Sequence, residues 1–131
     1  MLLIVGLNPS KAGAIRNDPT VTRGMVRADR SGFGGLFMAN LYGYVSTDPN
    51  ALLADGDFVG EKTDYYLKQM IGLSGRHLCG WGSFRAAKFR ADAVLKMISN
   101  PYCLGVNGDG QPKHPLYVGY EMPMVKYMVD K

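Results

Sequence analysis

The fold is decided by LLIVG at Leu2–Gly6, an apolar run that ends just before the breaker pair Asn8-Pro9. Three more short apolar runs follow along the chain: GLFMANL at 35–41, HLCGW at 77–81 and YCLGV at 102–106. Strands that are apolar on both faces are typical of a sheet covered on both sides. Their alternation with helical stretches indicates right-handed crossovers between parallel strands. We therefore predict a three-layer α/β domain, with a four-stranded parallel sheet and helices on both faces.

The helices are predicted from capping residues and from apolar residues at helical spacing. The first is predicted from Thr20 to about residue 29, the second from about residue 61 to 73, and the third from a Ser83 N-cap to residue 98. A short helix over about 122–129 is predicted to cover one edge of the sheet, and residues 43–60 are predicted to form a long loop.

Length and composition fit one domain spanning residues 1–131, because a chain of this size buries a single core. Hydrophobic residues make up 47% and charged residues 20%, which is a globular composition. No apolar run approaches the ~20 residues that a membrane-spanning helix needs. The N-terminal MLLIVG also lacks the basic region and cleavage site of a signal peptide.

Cysteine usage and charge indicate compartment and partner. Cys79 and Cys103 lie in apolar segments without a Cys-x-x-Cys spacing, so we expect reduced core thiols, no metal site and a cytoplasmic protein. The net charge of +4 gives a mild bias toward anionic partners such as phosphate or nucleic acid.

Polar or aromatic residues follow each predicted strand, where ligands bind in parallel α/β sheets. These positions hold Asn8-Pro9-Ser10, Asn40-Leu41-Tyr42, Trp81-Gly82-Ser83 and the loop that leads to His114-Pro115. The first loop is neither a Walker A nor a G-x-G-x-x-G sequence. Its amides could face an anion, or the loop could be two ordinary turns, Asn-Pro and Asp-Pro.

Several of these side chains have two possible roles, one structural and one in ligand binding. Asn40 lies in an apolar run, where its amide needs either a backbone partner or a ligand such as a pyrimidine edge. Trp81 is either core or a stacking platform, and Tyr42 either stacks on a base or covers the core. His114, in the loop NGDGQPKHPLY, is either functional or structural.

Three arginines, Arg23, Arg27 and Arg30, share one face of the first predicted helix. This face is either solvated or in contact with phosphate, with Arg16 and Lys113 as possible partners in the second case.

The motifs resemble those of the domain-of-unknown-function family 1643 over almost the whole chain. They are NPS at 8–10, NDPT at 17–20, GFGGLFMANLYGYVSTDP at 32–49, the Trp81-Gly82 pair, CLG at 103–105 and DGQPKHPLY at 109–117. A more distant similarity links GLNPS, FGGLFMANLYGYVST, HLCGWGSFRAAK and HPLY, in this order, to the mismatch-specific branch of the uracil-DNA glycosylases. That resemblance implies a glycosylase-like fold.

The same resemblance implies roles for single residues. Asn8 would position the water that attacks the sugar, Asn40 would read a flipped base, and His114 would stabilise the charge on the departing base. Asp18, from the NDPT motif of the unknown-function family, is the candidate general base, because position 8 holds no carboxylate. Substrate contacts are expected from Gly6, Pro9, Ser10, Thr20, Arg23, Asn40, Tyr42, Trp81 and Lys113, and from Leu116 or Tyr117 as a wedge in the duplex.

The sequence thus predicts an N-glycosidic hydrolase that acts on a modified or mismatched base in DNA, or on a nucleotide. No cofactor and no metal are expected, and the expected partner is DNA or a nucleotide rather than a membrane. The alternatives are a binding module with the same pocket and, less favoured, a partner-binding protein that has lost its ligand. The oligomeric state is left open.

Overall fold

The computed structural model describes residues 1–7, 19–42 and 62–128 of the chain. Within these residues a five-stranded sheet has the order β2-β1-β3-β4-β5. Its strands are β1 (Leu2–Gly6), β2 (Leu36–Asn40), β3 (Arg76–Cys79), β4 (Pro101–Cys103) and β5 (Val125–Lys126). The first four are parallel, and β5 runs antiparallel to β4. The predicted parallel α/β sheet is therefore confirmed for four strands.

The fifth strand corrects two predictions, the four-stranded sheet and the C-terminal helix over 122–129. Val125 and Lys126 pair with Cys103 and Tyr102, and the Tyr127 amide donates to the Pro101 carbonyl at 2.8 Å. Pro123 does not exclude a helix, because it would lie in the first turn, where proline is tolerated. The open edge of β4 accepts the short β-branched and aromatic segment instead.

Three α-helices lie in the described residues: α1 (Pro19–Arg30), α2 (Thr63–Leu73) and α3 (Arg85–Leu95). Their positions agree with the predictions to within a few residues, but Ser83 does not cap α3. Phe84 occupies the N-cap position without a side-chain bond, and the Ser83 hydroxyl donates to Asp109 at 3.0 Å instead. The predicted loop at 43–60 falls almost entirely outside the described residues. None of the described helices is long and apolar enough to cross a bilayer.

Alternate residues of β1 face opposite layers. Leu3 and Val5 belong to a cluster that includes α2 and α3 residues, among them Leu67 and Val94. Leu2 and Ile4 belong to the other cluster, with Ala28 of α1. Helices therefore cover both faces of the sheet, as predicted.

The sheet order gives the fold a switch point between β1 and β3. From β1 the chain crosses through α1 to β2 on one side, and later returns through α2 to β3 on the other side of β1. Adjacent crossovers on opposite faces leave a crevice beyond the carboxyl ends of the two strands. This edge is where a ligand site is expected.

Candidate functional site

Residues 114–122, which we call the arm, pack over the carboxyl end of β3. The arm begins with His114 and a 3₁₀ helix at Pro115–Tyr117. A Cβ atom added to Gly80 would lie 2.7 Å from Cδ of Pro115, and one added to Gly82 would lie 3.7 Å from Cβ of His114. The amide of Gly80 also donates to the Val5 carbonyl of β1 at 2.9 Å. The arm therefore brings His114 to the switch point.

His114 is held by the backbone of its own arm. Its Nδ1 accepts a hydrogen bond from the Leu116 amide at 3.1 Å, which caps the 3₁₀ helix. An imidazole nitrogen that accepts carries no proton, so the neutral ring bears its proton on Nε2. The bond fixes both the tautomer and the ring orientation, and makes Nε2 a donor.

The arm also presents an aromatic side chain. Tyr117 is 83% exposed, and its ring centroid lies 5.7 Å from that of His114. Leu116 is half-buried. Lys113, just before the arm, packs on Gly105 and lies 3.4 Å from Oδ1 of Asn107. An imidazole, an aromatic ring and an ammonium group thus come from one short segment.

Asn40 lies at the same edge, on the other side of β1. It is the last residue of β2 and is in register with Gly6, the last residue of β1. A Cβ atom added to Gly6 would lie 3.0 Å from the Oδ1 atom of Asn40. A larger residue at position 6 would therefore displace the Asn40 side chain. Gly6 and Asn40 are therefore adjacent at this edge.

The remaining predicted residues of the first loop lie outside the described residues. These are Asn8, Pro9, Ser10 and Asp18, together with Arg16. Thr20 lies in α1, but its side chain is outside what the structure describes. Their roles stay predictions.

Arg23 and Arg27 bond the arm rather than forming a solvated face. Arg23 donates to the carbonyls of Pro115 at 3.2 Å and Val118 at 2.6 Å. Arg27 is 4% exposed and donates to Met122 at 2.8 Å and Gly119 at 3.0 Å. These two side chains are thus not simply solvated, because their guanidinium groups donate to arm carbonyls 91–95 residues away. Contact with phosphate stays a prediction. Arg30, the third residue of the face, is exposed.

Burial distinguishes the two roles predicted for Trp81 and Tyr42, which are packing in the core and stacking on a base. Trp81 is fully buried, and its indole N–H donates to Gln111 at 2.8 Å, so it offers no surface for stacking. Tyr42 is 8% exposed and donates to the Ala86 carbonyl at 2.7 Å. Burial also raises the pKa of the Tyr42 phenol. In this structure both side chains belong to the core rather than to a binding surface.

A polar network that the sequence reasoning missed orders the loop before the arm. Asp109 accepts from the Gln111 amide at 3.0 Å and from Ser83, and it pairs with Lys88 at 3.1 Å. These partners, the Gln111 amide first, lower the pKa of Asp109. The Asn107 amide donates to Ser83 at 2.7 Å. The turn sequence NGDG signalled a loop, but nothing local signalled that α3 would anchor it.

A separate cavity of about 460 Å³ lies between α1 and β2. Its lining is mostly apolar, with Met25, Phe33 and Met38 among its residues and Asp29 as its charged group. None of the predicted site residues lines it. Within the described residues, no group of three or more His, Cys, Asp or Glu side chains is arranged to hold a metal ion.

Comparison with known proteins assigns a family without an activity. No curated protein and no solved structure matches the chain significantly. A family model does match, over residues 1–116, which is most of the chain and includes β1 to β4 and the start of the arm. The chain therefore belongs to the family described as "Protein of unknown function (DUF1643)".

Proposed function

We propose that the carboxyl edge of the sheet handles a nucleobase, and that the protein is an N-glycosidic hydrolase acting on a modified or mismatched base in DNA or on a nucleotide. The observation that carries the proposal is His114. It is fixed through Nδ1 on an arm at the β1–β3 switch point, beside the exposed ring of Tyr117. The resemblance of four ordered motifs to mismatch-specific uracil-DNA glycosylases supports the same conclusion.

The chemistry requires a donor toward the departing base. When an N-glycosidic bond breaks, negative charge develops on the base, and a fixed donor at that position stabilises the transition state. Nε2 of His114 is such a donor, because Nδ1 already accepts from Leu116. No large reorientation of the ring is then needed during the reaction.

Neighbouring side chains supply recognition in this proposal. Tyr117 is exposed enough to stack on a base or to fill the space that an extruded nucleotide leaves. Asn40 offers both amide donors and an acceptor at the end of β2, which suits a Watson–Crick edge. Asn8 would position the attacking water, with Asp18 as a general base.

The direct test is base release from oligonucleotides that carry uracil, hydroxymethyluracil or other modified bases, followed by alkaline strand cleavage. We expect His114→Ala to lower the rate by about 100-fold or more, the size of effect seen when a fixed transition-state donor is lost. His77→Ala is the matched control. His77 is the other of the two histidines, and its ring nitrogen bonds the Ile71 carbonyl at 2.9 Å, away from the arm. Wild-type protein that leaves every base and nucleotide of a broad panel intact would disprove the proposal.

The second candidate is a nucleotide- or DNA-binding module without turnover. It is favoured by the combination of Lys113 and exposed Tyr117, since single-stranded nucleic acids are bound by cations along the backbone and aromatic rings under the bases. In that case short DNA or nucleotides would raise the melting temperature, Tyr117→Ala would remove the effect, and no base would be released.

A further inference from the structure

We infer that Arg23 and Arg27 are positioning residues that tie α1 to the arm and so set where His114 and Tyr117 stand. The consequence for catalysis rests on the proposed function. The structural part does not, because it concerns how the arm is held. The substrate contact predicted for Arg23 stays a prediction beside this role.

The hydrogen bonds bracket the working part of the arm. Nε and Nη2 of Arg23 donate to the carbonyls of Pro115 and Val118, the residues on either side of Leu116 and Tyr117. One guanidinium group therefore spans the 3₁₀ helix. Its planar fork is rigid, so two bonds from it fix the orientation of the segment as well as its distance from α1.

Arg27 continues the attachment one turn further along α1. Its two terminal nitrogens donate to Met122, Gly119 and, at 3.5 Å, Val118. Burial and the nearby charge of Arg23 lower the pKa of Arg27, and Nε finds no partner within the described structure. Burying this cation costs free energy that the carbonyl bonds must offset. The attachment is thus specific rather than a loose surface contact.

Tyr120 completes the contact from the arm side. The guanidinium carbons of Arg23, Arg27 and Arg30 lie 4.5, 5.7 and 5.1 Å from the centroid of its ring. Cation–π attraction of this kind favours the docked arm. Arg30 shares the ring, but no carbonyl bond to the arm is described for it, so its substitution isolates the contribution of the ring contact.

The attachment also joins two parts of the fold that are distant along the chain. Arg23 lies on the second turn of α1, and Pro115 is 92 residues further along the chain. A helix held to the arm at this point keeps α1 and His114 at a fixed separation. Effective catalysis demands such fixed separations between groups.

The test is hydrogen exchange of the Leu116, Tyr117 and Val118 amides, which bond His114 and Pro115 within the arm. In Arg23→Gln we expect them to exchange on the order of 10-fold faster or more, because bonds from a charged donor are lost. Arg23→Lys, which keeps the charge but not the fork, should give a smaller increase. Arg30→Gln, which removes a contact with the Tyr120 ring but no carbonyl bond, should raise the rates clearly less than Arg23→Gln does.

Nitrogen chemical shifts of His114 give a second readout. We expect the Nδ1 acceptor signature to weaken in Arg23→Gln while the global melting temperature falls only slightly. If Arg23→Gln does not fold, the same two measurements on Arg23→Lys decide the question. Unchanged exchange and an unchanged His114 signature in the folded variants would overturn the inference.

Base release separates this inference from the proposed function. If wild-type protein releases base, Arg23→Gln should lower kcat more than it raises KM, since the donor is displaced rather than the substrate lost. Faster arm exchange with no base release by the wild type would sustain the positioning role and reject the hydrolase proposal.

Discussion

Gly80 lets the arm approach the sheet. It follows β3, and a Cβ atom there would meet the rigid Pro115 ring at 2.7 and 2.9 Å, which is closer than real Cβ contacts allow. We expect Gly80→Ala to destabilise the fold by about 1–3 kcal/mol, the usual cost of overpacking. It should also disturb His114 of the arm. Denaturant unfolding followed by the fluorescence of the single tryptophan measures the first effect.

Gly72→Ala is the matched control for Gly80→Ala. Gly72 lies in the last turn of α2, is exposed, and a Cβ atom there would meet nothing within 4 Å. Gly72→Ala should therefore stabilise the protein by about 0.5–1 kcal/mol, because alanine loses less entropy on entering a helix. If Gly80→Ala were as harmless as Gly72→Ala, the close packing of the arm on β3 would be wrong.

Strand β5 places a buried phenol against the sheet. Tyr127 follows β5, is 6% exposed, packs edge-on to Trp81 and donates to the Gly110 carbonyl at 2.8 Å. Burial, with a smaller effect from the thiols of Cys79 and Cys103, raises the pKa of Tyr127 to about 12. Attachment of β5 therefore depends on a protonated phenol.

This raised pKa predicts a loss of stability at high pH. An unfolded tyrosine has a pKa of about 10, so from there upward the unfolded chain releases a proton that the folded chain keeps. The stabilising contribution is complete below about pH 10 and is lost as the pH rises through about 12. Tyr127→Phe should be about 1 kcal/mol less stable at neutral pH, because it lacks the hydrogen bond to the Gly110 carbonyl. Its unfolding free energy should then fall less steeply between the two pKa values in urea titrations. Equal slopes for both proteins would contradict the buried phenol.

At the scale of the whole molecule, the sequence predicted the strands and helices with local signals. It did not predict the contacts between residues that are distant along the chain. Four parallel strands and three helices followed from apolar runs and spacing, because those signals are local. Strand β5 was missed because its two residues are both exposed and carry no alternation. Arg27 was missed as a buried residue because its acceptors lie 91–95 residues away. For the candidate site, the sequence predicted that His114 and Asn40 lie at the carboxyl edge of the sheet, where the structure has them. It did not predict that Arg23 donates hydrogen bonds to carbonyls of the arm.

The segment beyond the matched family region tests how far the fold depends on such distant contacts. The family model ends at residue 116, yet the chain after it supplies the carbonyls that bind Arg27, the ring of Tyr120 and the buried Tyr127. A chain that stops after Gly119 would leave the Arg27 cation with fewer acceptors and would expose the side of Trp81 that Tyr127 covers. We expect it to lose about 3–5 kcal/mol or more, since loss of one large buried aromatic side chain alone costs that much. The urea midpoint, read from Trp81 fluorescence, should fall accordingly, and the emission of the folded form should shift to the red. An unchanged midpoint and spectrum would mean that β1 to β4 and the start of the arm are stable on their own. The residues after Gly119 would then contribute nothing to the stability of the fold.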